Sequence, residues 1–78
     1  MAVKVLIVDD DVQTLRLVGL MLERQGYKIL AANCGTQAIQ MAQSEQPEVI
    51  ILDVMMPDLD GFEVTRQLRD NPQTADIP

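Results

Sequence analysis

Residues 49–61 read VIILDVMMPDLDG. Four apolar residues run into Asp53, an apolar patch follows, and turn residues close the stretch. The run predicts a short buried strand, Val49–Leu52. A carboxylate at the end of a buried strand is costly unless something compensates it. What the chain does therefore depends on what Asp53 faces, and that must come from elsewhere in the sequence.

The rest of the chain alternates. Residues 3–8 are rich in Val, Ile and Leu and predict a strand buried on both faces, as in a parallel sheet. Asp9, Asp10 and Asp11 end it. Residues 12–25 predict a helix: Leu15, Val18 and Leu22 form an apolar stripe, which Leu17 and Met21 widen. Asp11 is the expected N-cap, and Gly26 stands where a left-handed C′ residue belongs. Residues 27–32 predict a second strand, less apolar and nearer an edge. Residues 36–44 predict a second helix, with Ala38, Ile39, Met41 and Ala42 on its apolar positions and Pro47 barring its continuation. After the third strand, residues 54–60 predict a loop. Asp60 then caps a third helix, with Glu63 at capping-box spacing and Val64 and Leu68 stacked one turn apart. Asn71-Pro72 ends it, and the tail QTADIP reads as loop. The order is βαβαβα, which implies an α/β fold with parallel strands and right-handed crossovers.

Composition narrows the function. Seventy-eight residues make one small domain. An apolar fraction of 47% is ordinary for a globular chain and argues against disorder. Only Tyr27 and Phe62 are aromatic, so the core must be aliphatic. The net charge of −6 repels phosphate backbones, so no direct nucleic-acid binding is expected of this segment, whereas a metal cation is welcome. A lone cysteine, Cys34, fits a reducing cytoplasm. No run approaches the roughly 18 apolar residues of a membrane span, so no membrane partner is expected. The first residues read as a strand, not a signal peptide.

In a parallel sheet all strands end on one side. With the second strand on one side of the first and the third on the other (order 2-1-3), the first and third are neighbours. Their carboxyl ends then flank a topological switch point, where open α/β sheets bind ligands. Strands lie about 4.8 Å apart, so Asp9, Asp10 and Asp53 can converge on one small ion. Three carboxylates that close require a raised pKa or a cation. The chain has no histidine, so the ligands are oxygens, which suit Mg²⁺, Mn²⁺ or Ca²⁺ rather than zinc. Mg²⁺ commonly bridges to a phosphate, which would place phosphoryl chemistry at Asp53.

LIVDDD at residues 6–11 and VIILDVMMPDLDGFEV at residues 49–64 together resemble the receiver domain of two-component response regulators, a flavodoxin-like, CheY-like fold. The resemblance covers essentially the whole chain. It implies that Asp53 is the phosphoryl acceptor, taking the group from a phosphohistidine on a sensor histidine kinase or a histidine phosphotransfer domain. It implies that Asp9 and Asp10 hold Mg²⁺ (Mn²⁺ as a substitute), one of them largely through water, and that the Met55 backbone carbonyl completes the metal site. Pro57 and Gly61 match the loop that turns the chain into the third helix. The family has five strands, and here the sequence reaches Pro78 where a fourth is expected to begin. The chain is thus expected to be the N-terminal part of a receiver. The family's Ser or Thr after strand four and Lys after strand five have no counterpart, and Lys4 and Lys28 stand at the wrong places to substitute. An open third-strand edge is expected to recruit another chain and give a homo-oligomer.

Two competing functions follow. An Asp-nucleophile phosphatase of the haloacid dehalogenase type resembles this strand end, but wants a second Asp where Met55 stands. A fragment without the switch residues would act only as a metal-binding or self-associating structural module. Neither a P-loop nor a dinucleotide loop is present. Asp11 is read as a cap rather than a ligand, Asp58 and Asp60 as turn and cap, Met56 as packing, Cys34 as a small loop residue, and Thr14 as an exposed first-turn residue.

Overall fold

A computed structural model describes residues 3–52 and 60–78. It forms β1 (Lys4–Val8), α1 (Val12–Arg24), β2 (Lys28–Ala32), α2 (Gly35–Glu45), β3 (Val49–Leu52) and α3 (Gly61–Asp70). The sheet is parallel in the order β2-β1-β3, as expected. Val5 lies opposite Ile29 on one side and Val49 on the other, and Val8 lies opposite Ala32 and Leu52.

β1 is the central strand, and Val5, Leu6, Ile7 and Val8 are all buried. Its alternate residues serve two faces. Leu6 and Val8 join Ala32, Ala38, Ala42, Val64 and Leu68 in one wholly aliphatic core under α2 and α3. Val5 and Ile7 point to the opposite face, where α1 lies. Both aromatics stay outside, Phe62 at 76% exposure.

The helix ends follow local chemistry. At the C-terminus of α1, the Tyr27 N–H donates to the Leu22 carbonyl and the Gly26 N–H to the Glu23 carbonyl. This is the Schellman pattern, and Gly26 takes the positive φ of 95° that it requires. α2 ends differently. Pro47 disfavours helical backbone at Gln46, which turns to φ 49° instead. The Gln46 backbone N–H donates to the Ala42 carbonyl, and its side-chain amide donates to the Gln43 carbonyl at 3.0 Å and more distantly to Ala42, serving the helix end.

Two expectations are corrected. Leu17 and Met21 do not widen the buried stripe of α1; they are 62% and 59% exposed. Leu15, Val18 and Leu22 are only half-buried, and no residue of α1 is fully buried. At 100° per residue Leu17 lies about 200° from Leu15, on the far side of the helix.

The tail is loop, as expected, and it is anchored. Thr74 is buried, and its hydroxyl donates to the Leu68 carbonyl at 2.6 Å. The Asn71 side chain accepts from the Gln73 N–H at 2.9 Å, an Asx turn. Thr74→Val keeps the shape and removes the donor. It is expected to cost about 1 kcal/mol in urea unfolding, because the Leu68 carbonyl keeps only the longer 3.4 Å bond from the Asn71 N–H.

The tail also reaches the outer edge of β3, where the Ile50 N–H donates to the Pro78 carbonyl at 3.0 Å. That edge is therefore partly occupied rather than fully open. Val49 and Ile51, on the opposite face from Leu6 and Val8, remain exposed.

Candidate functional site at the carboxyl ends of the central strands

The site begins where β1 ends. The Asp9 N–H donates to the Ala32 carbonyl at 3.1 Å, extending the β1–β2 pairing one residue beyond the strand. This fixes the backbone of Asp9 against the sheet and leaves its carboxylate half-buried, while Asp10 is exposed. Asp9 Oδ1 accepts from the Asp11 N–H at 2.9 Å. Among the described residues, Asp9 Oδ2 and the Asp10 carboxylate make no hydrogen bond or ion pair. They are oxygen donors held at a strand end with lone pairs to spare, and that donor set suits a hard divalent cation.

Asp11 is the N-cap of α1, as expected. Its Oδ1 accepts from the Gln13 N–H at 3.0 Å, and its Oδ2 accepts from the Thr14 hydroxyl at 2.9 Å. Thr14 is half-buried rather than exposed, and it serves the cap. The Thr14 hydroxyl and then the Gln13 N–H hold the Asp11 carboxyl below its ordinary value of 3.8. Both bonds favour the charged form, so the cap stabilises the fold above pH 3.8 and fades as pH falls through the lowered value. Asp11→Ala is expected to melt at a lower temperature than the parent at pH 7, and the gap should close below pH 3.8. Thermal melts across that range check the sign.

On the far side of the crevice, Val8 and Leu52 lie opposite each other in register. β1 and β3 therefore finish at the same end of the sheet, where Asp9 and Asp10 follow β1. Asp53, Met55, Met56, Pro57 and Asp58 lie outside the described residues. The chain is described again at Asp60, which caps α3 by accepting from the Glu63 N–H at 2.8 Å. The reciprocal half of the capping box is replaced by another arrangement. The Glu63 carboxylate takes two bonds from Arg66, at 2.7 and 2.8 Å, and one from Gln67. The Arg66 guanidinium and then the Gln67 amide hold Glu63 down to about 2. This cluster lies on an exposed helix face and belongs to α3, not to the crevice.

Cys34 stands before α2, where it N-caps the helix without a side-chain bond. It follows the carboxyl end of β2, and periodicity did not mark it as a cap. Asn33 is pinned by its N–H to the Gln37 side chain at 3.1 Å. Among the described residues no three carboxylates, thiols or imidazoles sit together. The structure thus brings Asp9 and Asp10 to the strand end. The third acid of the expected cluster, Asp53, is among the residues not described.

A parallel sheet in the order β2-β1-β3, with helices on both faces and acids at the switch point, defines a CheY-like α/β module. The chain belongs to the response regulator receiver domain family, which its residues 5–78 match. It is 47% identical over 66 residues to the alkaline phosphatase synthesis transcriptional regulatory protein PhoP of Bacillus subtilis, covering 85% of this chain and 28% of that protein. It superposes on the chemotaxis response regulator CheY4 of Vibrio cholerae with a TM-score of 0.95 at 36% identity, covering all of this chain and 65% of that one. It also matches the receiver domain of the sensor histidine kinase PA1611 of Pseudomonas aeruginosa, at TM-score 0.94 and 27% identity. That structure, 64% of which is covered, has a magnesium ion coordinated in its active-site cleft. The chain therefore spans less than two thirds of each of these proteins.

Membership places the chain in two-component phosphorelay signalling and makes it a signalling module. Receiver domains of this family work with histidine kinases or phosphotransfer partners and typically bind Mg²⁺. Among the described residues, no helix is long and apolar enough to cross a membrane.

Proposed function

We propose that this chain is the N-terminal part of a cytoplasmic receiver domain that accepts a phosphoryl group on Asp53 from a phosphohistidine of a kinase or phosphotransfer partner. The observation that carries the reading is the β1–β3 register, with Val8 opposite Leu52. It sets Asp9 and Asp10 at the sheet end where β3 also finishes, at the switch point of a family member. Asp9, Asp10, Asp53 and the Met55 carbonyl would hold Mg²⁺, or Mn²⁺ in its place. The bound ion supplies positive charge that offsets the crowded carboxylates and the phosphoryl oxygens.

The chain's own part is nucleophilic. A carboxylate oxygen of Asp53 attacks phosphorus, the P–N bond breaks, and imidazole leaves with the electron pair. The product is an aspartyl phosphate. Asp53 is a stoichiometric acceptor, so the chemistry at this site ends with its own phosphorylation and dephosphorylation.

The test uses the chain with Mg²⁺ and acetyl phosphate as a small donor. Intact mass is expected to rise by about 80 Da and to stay unchanged in Asp53→Asn. Absence of the adduct in the parent chain overturns the reading for this chain.

A second reading has one observation in its favour. Val49 and Ile51 are exposed apolar residues on an edge strand, as in a module that binds metal or associates with itself without phosphotransfer. Association through β3 would be lost in Ile51→Lys, and a metal response without a phosphoryl adduct would favour this reading over the first.

A further inference from the structure

Asp9, Asp10 and Asp11 are consecutive acids, yet the structure gives them different tasks. Both carboxylate oxygens of Asp11 are engaged by α1. Oδ1 accepts from the Gln13 N–H at 3.0 Å, and Oδ2 accepts from the Thr14 hydroxyl at 2.9 Å. The Asp11 carbonyl accepts from the Leu15 N–H, also at 3.0 Å. Three bonds from the first turn thus hold Asp11 in an extended N-cap conformation, at φ −88° and ψ 107°. Its carboxylate is committed to the helix, whereas Asp9 Oδ2 and the Asp10 carboxylate keep their lone pairs.

The residue that is held in turn holds another. The Asp11 N–H donates to Asp9 Oδ1 at 2.9 Å. That N–H lies in a rigid peptide plane, so its direction is set once the cap fixes Asp11. Asp9 is thereby restrained twice. Its main chain is tied to the Ala32 carbonyl, and its side chain is tied to Asp11. One oxygen is spent on orientation, and the other is left for a ligand. Mg²⁺ demands near-octahedral geometry at about 2.0–2.1 Å. A carboxylate already oriented loses less freedom on meeting such an ion than one free to rotate. Thr14, half-buried, stands two hydrogen bonds away from Asp9 and outside the ligand set.

We propose that Asp11 and Thr14 are positioning residues for the cation site: the cap braced by Thr14 aims the Asp11 N–H at Asp9 Oδ1 and so orients the Asp9 carboxylate towards the ion. The proposal rests on the reading of Asp9 and Asp10 as Mg²⁺ ligands. It is tested by isothermal titration of the full 78-residue chain with magnesium chloride, well below the melting temperature. Thr14→Val keeps the shape and removes the hydroxyl, and it is expected to weaken Mg²⁺ binding about tenfold, as loss of a group that supports a metal ligand does. Thr14→Ser restores the donor and should bind within about twofold of the parent. Asp11→Asn keeps a capping oxygen without the charge and should stay within about threefold, whereas Asp10→Asn should lose binding. Thr74→Val lowers stability from the tail and should bind as the parent does. A parent that binds Mg²⁺ no better than Thr14→Val overturns the positioning role and leaves the ligand reading standing. So does a Thr14→Ser variant that fails to recover affinity, or a loss in Asp11→Asn as deep as in Asp10→Asn, which would make Asp11 a ligand itself. Equal weakening in Thr74→Val also overturns it, since affinity would then only follow stability. A parent that takes up no Mg²⁺ overturns the ligand reading and this proposal with it.

Discussion

Leu6→Ala is expected to remove about 3 kcal/mol of stability, read as a lowered urea midpoint with an unchanged slope. Leu6 is fully buried at the centre of the central strand, in contact with the core that α2 and α3 close. The loss combines the transfer energy of the deleted atoms with the cavity they leave. A chain of this length commands only about 4–12 kcal/mol in total, so one deletion takes a large share. The core has no aromatic residue to collapse into the space, and Ala38 and Ala42 opposite are already small. Phe62→Ala is the control. It deletes more atoms, but from a side chain left in water, and should stay within about 0.5 kcal/mol of the parent. Equal effects from the two would show that the core is not where the burial pattern sets it.

The second large effect concerns the acid pair. Asp10→Asn is expected to abolish the rise in melting temperature that Mg²⁺ gives the parent chain. A ligand that binds only the folded state stabilises it by about 2.7 kcal/mol at a concentration one hundred times its Kd. The same substitution is expected to raise the melting temperature of the metal-free chain slightly, since it removes one of several like charges at the strand end. Opposite signs with and without metal separate a ligand from a residue that merely maintains the fold. If Asp10→Asn leaves both melts unchanged, the acids do not share one ion.

Much of this was legible in the sequence, and the reasons are local. The Val, Ile and Leu run of β1 has no polar alternation, so it had to be covered on both faces. Asp11 and Asp60 are caps because short acidic side chains reach the N–H groups two or three residues ahead. Gly26 is legible because only a residue without Cβ enters its conformation at no cost. The shared end of β1 and β3, with Asp9 and Asp10 at it, was legible for a topological reason: alternating elements force parallel strands, and parallel strands end together.

What stayed hidden depended on distance along the chain or on the width of the sheet. Leu17 and Met21 are as apolar as Leu15 and Val18, and composition does not say that a three-stranded sheet receives only a narrow arc of α1. The anchoring of the tail rests on Thr74 reaching back six residues to the Leu68 carbonyl, a bond that leaves no period in the sequence. Glu63 sits at capping-box spacing, yet Arg66 one turn on competes for its carboxylate and wins with two bonds.

The thin seating of α1 has a consequence for how the molecule breathes. A helix without a fully buried residue can lift away as a unit at a free energy below that of global unfolding. Its amides then exchange with solvent through that partial opening, while those of β1 wait for the whole sheet to come apart. The helix does not move alone, because Asp9 Oδ1 holds the Asp11 N–H that begins its first turn. Each opening of α1 therefore loosens the acid at the mouth of the crevice, and an ion that fixes Asp9 would slow hydrogen exchange along the helix.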